Sequence, residues 1–211
     1  MMRYILMFMF AFVSCLTMSG QTKVSAQEQA QVLQKFNKTS AALKSMQCDF
    51  VQTKKIKLLK NEMQAKGLMY FVSPSKLRWQ YNTPYSYVFI LNGDKVHIQS
   101  QNSSQSIDIQ RNKMFRQLSD IILQSVTGGH LSNSAEFSVE IRKNGDAYSA
   151  RLTPKKKELQ KLYNVIEIFF NPSLTMVQSI RMEEKTGDVT TVELRNVKTN
   201  TSVSESHFKL R

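Results

Sequence analysis

The sequence has few of the residues from which metal and disulfide sites are built. Its 211 residues include two cysteines, Cys15 and Cys48, and three histidines, His97, His130 and His207, which lie far apart along the chain. Two cysteines exclude a disulfide-rich scaffold and a four-cysteine zinc site, and no two histidines have the spacing of a metal-binding motif. We therefore expect no metal and no cofactor.

The motifs of common catalytic sites are missing as well. There is no Gly-x-Ser-x-Gly nucleophile elbow, and Gly128-Gly129 is too short to cradle a phosphate. The adjacent carboxylates of Glu183 and Glu184 would point to opposite faces of a strand, which is typical of a solvated hairpin. With only seven glycines and four prolines, the chain is neither collagen-like nor of low complexity. These absences favour a protein that is not an enzyme.

Acidic residues are also scarce, with 16 aspartates and glutamates against 29 lysines and arginines and a formal net charge of +13. Nucleic-acid sites interleave basic and aromatic residues, whereas these lysines fall in predicted turns and the aromatic residues in predicted strands. Nucleic acid is therefore not an expected partner. Two interpretations stay open: an ordinary soluble surface, or docking to an acidic partner or an anionic membrane face. The lysines form two groups: Lys54, Lys55, Lys57, Lys60 and Lys66, and Lys155, Lys156, Lys157 and Lys161.

The N-terminus has the pattern of a secretory signal peptide. Arg3 precedes the apolar run Ile5 to Val13, and Val24-Ser25-Ala26 offers small residues for cleavage. The run is too short for a comfortable membrane span, which needs about 20 apolar residues. We predict a signal peptide over residues 1–26, a single domain over residues 27–211, and export from the cytoplasm.

Two other interpretations of this segment stay open. Cys15 follows Phe12-Val13-Ser14, so the chain could instead be lipid-anchored through Cys15, although Phe12 fits a lipoprotein signal poorly. Ser25-x-x-Glu28 also matches a helix capping box. Cleavage after Ala26 would remove that cap, so the cap and the cleavage cannot both hold in the mature protein.

Two helices are predicted from apolar residues at a period near 3.6. The first spans Gln27 to Met46, and the second is followed by Gly128-Gly129 as a stop signal. The apolar positions are Val32, Leu33, Phe36, Leu43 and Met46 in the first, and Met114, Phe115, Leu118, Ile121, Ile122 and Val126 in the second.

The rest of the chain alternates between apolar and polar residues, as antiparallel strands with one buried face do. Turn signals separate the strands at Asn92-Gly93, Asn144-Gly145 and Thr186-Gly187. We predict a mainly β (α+β) fold: an unclosed, strongly curved antiparallel half-barrel of about ten strands, with helices covering its apolar concave face. Cys48 is expected on that face as a buried thiol.

Large apolar residues recur on the predicted buried face of the early strands. A filled core explains them, and so does an apolar hollow that would hold a greasy ligand, because a partly curled sheet can enclose one. Both interpretations stay open at this point. The residues are Phe50, Met69, Phe71, Leu77, Trp79, Tyr81 and Phe89.

The order of several short motifs resembles the LolA family of periplasmic outer-membrane lipoprotein carriers, over about Gln27 to Leu210. The most specific is the run from Gly67 to Pro84, in which Pro74, Lys76, Arg78, Trp79 and Tyr81 match the family pattern. Each motif is weak alone, and their shared order makes the resemblance fairly specific. The others are Phe50-Val51-Gln52, Asn92 to Val96, Leu152 to Lys155, Gly187 to Thr190, and Phe208.

The resemblance implies a monomeric carrier, located in the periplasm, whose cavity takes the acyl chains of lipoproteins. It would receive them from an inner-membrane lipoprotein-releasing ABC transporter and deliver them to an outer-membrane acceptor or to the membrane itself. The cavity would be lined by residues of the strands and of both helices: Phe36, Phe50, Met69, Phe71, Leu77, Trp79, Tyr81, Phe89, Leu118, Ile122, Ile166 and Ile168.

One position departs from the family. Ser73 stands where well-studied members carry an Arg that helps to latch the lid, and Arg78 alternates with Leu77 and Trp79, so it should face outward. A different cargo is therefore a second hypothesis: a carrier or membrane-anchored receptor for another lipid, such as a glycolipid. A third is a non-catalytic sensor of envelope stress that binds lipid.

Overall fold

The protein is described by a computed structural model that covers residues 21–59, 61–108, 110, 123, 131 and 135–209. Of the predicted second helix only Leu123 is among these residues, and it packs against the main apolar core; Leu118 and Ile122 lie outside them. Within them, one antiparallel sheet of twelve strands accounts for most of the fold. The strands are β1 Thr22–Lys23, β2 Ser45–Lys55, β3 Glu62–Val72, β4 Lys76–Thr83, β5 Tyr87–Asn92, β6 Lys95–Ser100, β7 Ser104–Asp108, β8 Phe137–Asn144, β9 Ala147–Pro154, β10 Tyr163–Phe170, β11 Val177–Glu184 and β12 Val189–Thr199.

Most strands pair with their neighbours in sequence, and the chain order is broken where β12 pairs with β2 and where β1 pairs with β8. The order across the sheet is β1-β8-β9-β10-β11-β12-β2-β3-β4-β5-β6-β7. Among the described residues no pairing joins the edge strands β1 and β7, so the sheet is unclosed. Laid flat, it would be about 53 Å wide at 4.8 Å per strand. The predicted curved, mainly β fold is confirmed, with twelve strands instead of about ten.

Helix α1 spans Ala26–Ala41 and packs Val32, Leu33 and Phe36 into the apolar core on the concave face of the sheet. The prediction that this helix continues to Met46 is wrong. Met46 belongs to β2, where it alternates with Cys48 and Phe50 on the concave face, and Leu43 lies in the connection.

The helix ends early because distant residues bind the chain that follows it. The Lys44 backbone N–H donates to Asn200 Oδ1 at 2.8 Å, and the Ser45 hydroxyl donates to the Thr201 carbonyl at 2.6 Å. These bonds start β2 beside β12. Leu43 and Met46 fit the helical period of 3.6 residues, but Met46 also fits the strand period of two with Cys48 and Phe50. A spacing this short does not distinguish a helix from a strand.

The residues before α1 take part in the fold of the 211-residue chain. Thr22 and Lys23 pair with Lys143 and Arg142 at the edge of the sheet, and Val24 is buried in the core. Ser25 caps α1, because its Oγ accepts a hydrogen bond from the Glu28 N–H at 3.2 Å. The Ser25 half of the predicted capping box is therefore present, whereas the Glu28 carboxylate accepts from the Tyr148 hydroxyl. Cleavage after Ala26 stays a prediction and would remove the cap and β1.

The glycine turns occur where the sequence predicts them. Gly93 and Gly145 have φ of +60° and +58° and directly follow the last residues of β5 and β8, and Gly187 has φ of +88° between β11 and β12. Left-handed backbone of this kind favours glycine because it has no Cβ.

A second, smaller core lies on the convex face, under the C-terminal turn Glu205–Phe208. The Phe208 side chain is buried against Val88 and Ile90. As predicted, Arg78 faces outward, and its Nη1 donates to the His207 carbonyl at 3.0 Å. The C-terminal segment is thus strapped across β4 and β5.

Candidate functional site

The concave face of the sheet collects the predicted cavity residues. Ten of the twelve lie in the described part of the chain, and all ten belong to one apolar cluster or pack against it. Phe36 comes from α1, Ile166 and Ile168 from β10, and the remainder from β2 to β5. Sequence alternation therefore assigned these strand residues to the correct face.

The two ends of this cluster are packed differently. Under α1, the Phe36 and Phe170 rings have centroids 4.4 Å apart, and both side chains are fully buried. Ile166 and Ile168 are fully buried as well. This part of the face is core, and it holds α1 on the sheet.

An aromatic group occupies the middle of the concave face. The Phe50 ring lies 4.3 Å from the Trp79 ring and 5.2 Å from the Tyr81 ring, centroid to centroid, the latter edge to face. Phe50 crosses directly over Gly67, its partner on β3. A Cβ at Gly67 would lie 2.6 Å from the Phe50 ring and 1.9 Å from the Gln80 carbonyl oxygen, so only glycine leaves room for this arrangement.

Five apolar side chains on β4 to β7, two of them from this aromatic group, are only partly buried. We call them the open wing: Trp79, Tyr81, Phe89, Ile98 and Ile107. Trp79, Phe89 and Ile98 lie directly opposite one another on three adjacent strands, so they form a continuous apolar row. Met69 continues the row on β3 and is fully buried.

Ile98 and Ile107 were missed as candidate residues in the sequence analysis. Val96 and Ile98 alternate with polar residues in β6, a signal that could have assigned Ile98 to the concave face. Strand β7 contains one apolar residue, Ile107, and its pairing with Val96 is what places that side chain. No sequence pattern of that length carries such information.

A small polar site marks one end of the open wing. The Tyr81 hydroxyl donates to Gln52 Oε1 at 2.8 Å, and the rings of Tyr85 and Tyr87 lie 5.6 and 6.1 Å from that of Tyr81. Burial raises the pKa of Tyr81 to about 12, so its phenol is neutral at physiological pH. The wing therefore ends in uncharged hydroxyl and amide groups.

Neither Cys48 nor any described cluster offers an obvious reactive centre. The Cys48 thiol is buried, and burial raises its pKa to about 12, which keeps it protonated and unreactive. The described residues contain no group of three or more His, Cys, Asp or Glu side chains placed to hold a metal ion. In the same part of the chain, no helix has the length and apolar character needed to cross a membrane.

Comparison with known proteins places the chain in a family. The family model described as outer membrane lipoprotein carrier protein LolA matches residues 41–211. The chain belongs to the LolA family. The resemblance read from the sequence motifs is thus confirmed, and the matched region of this LolA-family protein includes every strand from β2 to β12.

Among curated relatives, an outer-membrane lipoprotein carrier protein of Chromohalobacter salexigens is 23% identical over 145 residues. The match covers 69% of this LolA-family chain and 66% of the relative, which is slightly under two thirds of its length.

Solved structures share the fold at low sequence identity. An uncharacterized conserved protein from Thermus thermophilus superposes with a TM-score of 0.53 at 11% identity, covering 88% of this chain and 94% of that one. The complex structure of Pseudomonas aeruginosa MucA/MucB gives a TM-score of 0.51 at 8% identity, covering 87% of this chain and 61% of that one. At these identities the likeness concerns the fold alone.

Proposed function

We propose that this protein is a non-catalytic periplasmic carrier that binds the acyl chains of lipoproteins and ferries them from the inner to the outer membrane. The observation that supports this most directly is the open wing, a row of partly buried apolar side chains on the concave face of a LolA-family sheet. A lipid-binding residue needs a free surface, and these five side chains keep part of theirs.

The energetics of acyl transfer explain why such a carrier is needed. Exposing a sixteen-carbon chain to water costs on the order of 13 kcal/mol, at about 0.8 kcal/mol per CH₂. Donor, carrier and acceptor each shield the acyl chain from water, so the free energy of transfer from one to the next can be close to zero. The wing offers aromatic and aliphatic contacts without a charged side chain, which favours binding that is tight enough to hold and still reversible.

In this proposal, an inner-membrane lipoprotein-releasing ABC transporter loads the carrier, and an outer-membrane acceptor or the membrane itself unloads it. The ten described cavity residues have two roles in this proposal. Fully buried Phe36, Met69 and Leu77 support the sheet. The wing residues touch the acyl chain, and three of them, Trp79, Tyr81 and Phe89, were predicted from sequence.

Trp79 is the chain's only tryptophan, so it reports on the proposed site directly. We would titrate the purified protein with a synthetic lipopeptide that carries an acylated N-terminal cysteine and a spin label on one acyl chain. A nitroxide quenches indole fluorescence at short range. We expect saturable quenching of Trp79, competed by unlabelled lipopeptide and not by the same peptide without acyl chains.

Two variants test whether the wing is responsible. Trp79→Ala should weaken lipopeptide binding, measured by calorimetry or native mass spectrometry, more than Lys156→Ala on the surface does. Ile98→Ser keeps the fluorophore and should reduce quenching. Absence of saturable quenching in the wild type, or a larger effect of Lys156→Ala, would contradict the proposal.

The same native mass spectrometry separates the alternative cargoes. A copurifying acylated protein supports the lipoprotein carrier, whereas a glycolipid adduct would favour the second hypothesis. A diacylglyceryl group on Cys15 would replace the soluble carrier by a membrane-anchored receptor.

A further inference from the structure

The exposed large apolar side chains of the described residues all lie at one end of the sheet. There are five of them, between 48% and 91% exposed: Leu58, Leu59, Met63, Tyr85 and Leu162. They come from the β2–β3 turn, the start of β3, the β4–β5 turn and the residue before β10. Because neighbouring strands run in opposite directions, the end of β2, the start of β3, the β4–β5 turn and the start of β10 all lie at the same end of the sheet. We call it the β2–β3 end.

Hydrogen bonds join the loops of this end into one surface. The Lys185 N–H donates to the Leu162 carbonyl at 3.0 Å, and the Lys57 N–H donates to Asp188 Oδ1 at 3.0 Å. Lys54 Nζ lies 2.9 Å from Glu184 Oε1. The Leu162 loop and the Leu58 turn are therefore held together through the β11–β12 turn.

Lysines surround the apolar tips. Described members of both lysine groups, Lys57 from one and Lys161 from the other, lie at this end although they are about 100 residues apart in the chain. The inner lysines Lys54 and Lys55 pair with carboxylates of the same end. Among the described residues, Lys57, Lys161 and Lys185 make no ion pair, and each is next to an apolar tip or bonded to its loop.

We propose that the β2–β3 end docks on an anionic phospholipid leaflet, with Leu58 and Leu59 inserted among the headgroups. Protruding apolar residues on separate turns, bordered by lysines, suit a fluid interface with negative headgroups better than a complementary protein pocket. Tyr85 belongs to this end and contacts Tyr81 of the open wing, so docking brings one end of the wing to the lipid surface. The proposal extends the carrier function and does not depend on it.

Labelling at Leu58 tests insertion directly. Leu58→Cys, coupled to a polarity-sensitive thiol dye, should show a blue shift with vesicles of equal parts phosphatidylglycerol and phosphatidylcholine, and little shift with phosphatidylcholine alone. Lys95→Cys, at the opposite end of the sheet, is the matched control and should not shift. The wild-type chain treated with the same dye measures any contribution from Cys15 and Cys48. A shift that is equal at both positions would overturn the proposal.

Vesicle flotation with the unlabelled protein measures affinity. The double change Leu58→Ser and Leu59→Ser should reduce vesicle binding at least about tenfold, because it removes the apolar surface that would be buried among the headgroups. Changing Lys57, Lys161 and Lys185 to Gln should reduce it on the order of a hundredfold, at about fivefold for each lysine, and Lys95→Gln should change it much less. All these side chains are on the surface, so the fold should be unaffected.

The outcomes separate docking from carriage and from protein binding. If the wild type binds no vesicle, or if the serine variant binds as well as the wild type, the docking proposal is wrong. If a photo-crosslinker at position 58 captures one envelope protein and no lipid in living cells, a protein partner replaces the membrane. A chain that binds lipopeptide without docking contradicts docking alone, and one that docks without binding lipopeptide contradicts the carrier alone.

Discussion

Cys48 illustrates how burial sets the chemistry of a residue. Its thiol lies on the concave face of β2, opposite Met69, and both side chains are buried. Desolvation disfavours the thiolate, so the pKa rises to about 12, with a smaller contribution from the neighbouring Asp49 carboxylate.

This pKa makes the stability of the protein depend on alkaline pH. From pH 9 to 10 the unfolded thiol loses its proton while the folded thiol keeps it, so stability falls as the pH rises. The expected loss is about 1 kcal/mol over that interval. Cys48→Ala should remove this part of the slope in urea unfolding. An unchanged slope would mean that the folded thiol ionises as readily as the unfolded one.

Gly67 is a residue whose replacement should disturb the site itself. A Cβ there would meet the Gln80 carbonyl and the Phe50 ring, and the carbonyl cannot move without disrupting the pairing of β3 with β4. We expect Gly67→Ala to lower the free energy of unfolding by about 1 to 3 kcal/mol and to shift Trp79 emission, because Phe50 packs on that indole.

Gly93→Ala is the matched control for this change. It lies in a turn with positive φ and has open space around a Cβ, so it should cost stability through backbone strain alone. Trp79 emission should stay unchanged in the control. Equal spectra for the two variants would show that Gly67 does not position the aromatic group.

At the scale of elements, α1 depends on residues before it. Ser25 caps its first turn, and the Gln29 side chain accepts from the Ile141 N–H at 3.0 Å, so the start of the helix is fixed to the edge of β8. The Tyr148 hydroxyl also donates to Glu28 Oε1 at 2.7 Å. These contacts involve the segment at which the sequence predicts signal cleavage.

Ser25→Ala tests whether that segment is retained. In a mature chain that keeps Ser25, losing the cap should cost about 1 kcal/mol of stability, measured by urea unfolding. Gln34→Ala, an exposed mid-helix change, is the control and should cost much less. If cleavage follows Ala26, the mature forms of the wild type and of Ser25→Ala have the same mass and the same stability. That result would confirm the predicted signal peptide instead.

The C-terminal turn shows how the outer surface is used. Phe208 is buried against Val88 and Ile90, and Lys76 Nζ lies 2.7 Å from Glu205 Oε2. Arg78, which the sequence predicts to face outward, binds this segment on the convex face, whereas the next residue, Trp79, packs in the apolar cluster on the concave face.

At the scale of the whole molecule, the concave face is divided into a packed part and the open wing. Leu77→Ala in the packed part should lower the free energy of unfolding by about 2 to 5 kcal/mol, because Leu77 is 0% exposed. Ile98→Ala in the wing should lower the free energy of unfolding clearly less than Leu77→Ala does. It should also weaken lipopeptide binding more, for each kcal/mol of stability lost, than Leu77→Ala does. Urea unfolding and calorimetric titration of both variants check this, and parallel losses in both would mean that the face is one uniform core.

Much of the fold was predictable because it depends on local patterns. Alternation assigned Leu77, Trp79 and Tyr81 to one face, and glycines at the turns located three hairpins. The length of α1 was not predictable, because Asn200 and Thr201, more than 150 residues away, determine where β2 starts. The motif between Gly67 and Pro84 identified the family, since its spacing combines a close approach at Gly67 with the alternation of β4.

By itself, the sequence determined which side chains face inward, which turns reverse the chain and to which family the protein belongs, because these depend on neighbours within a few residues. Only the tertiary structure decided which inward residues are fully packed and which remain partly open, and it brought Lys57, Lys161 and five exposed apolar side chains to one end. The physical reason is that burial and proximity arise from pairing between distant strands. Strand β12 beside β2 is the clearest case, since that pairing joins the two halves of the chain into one face.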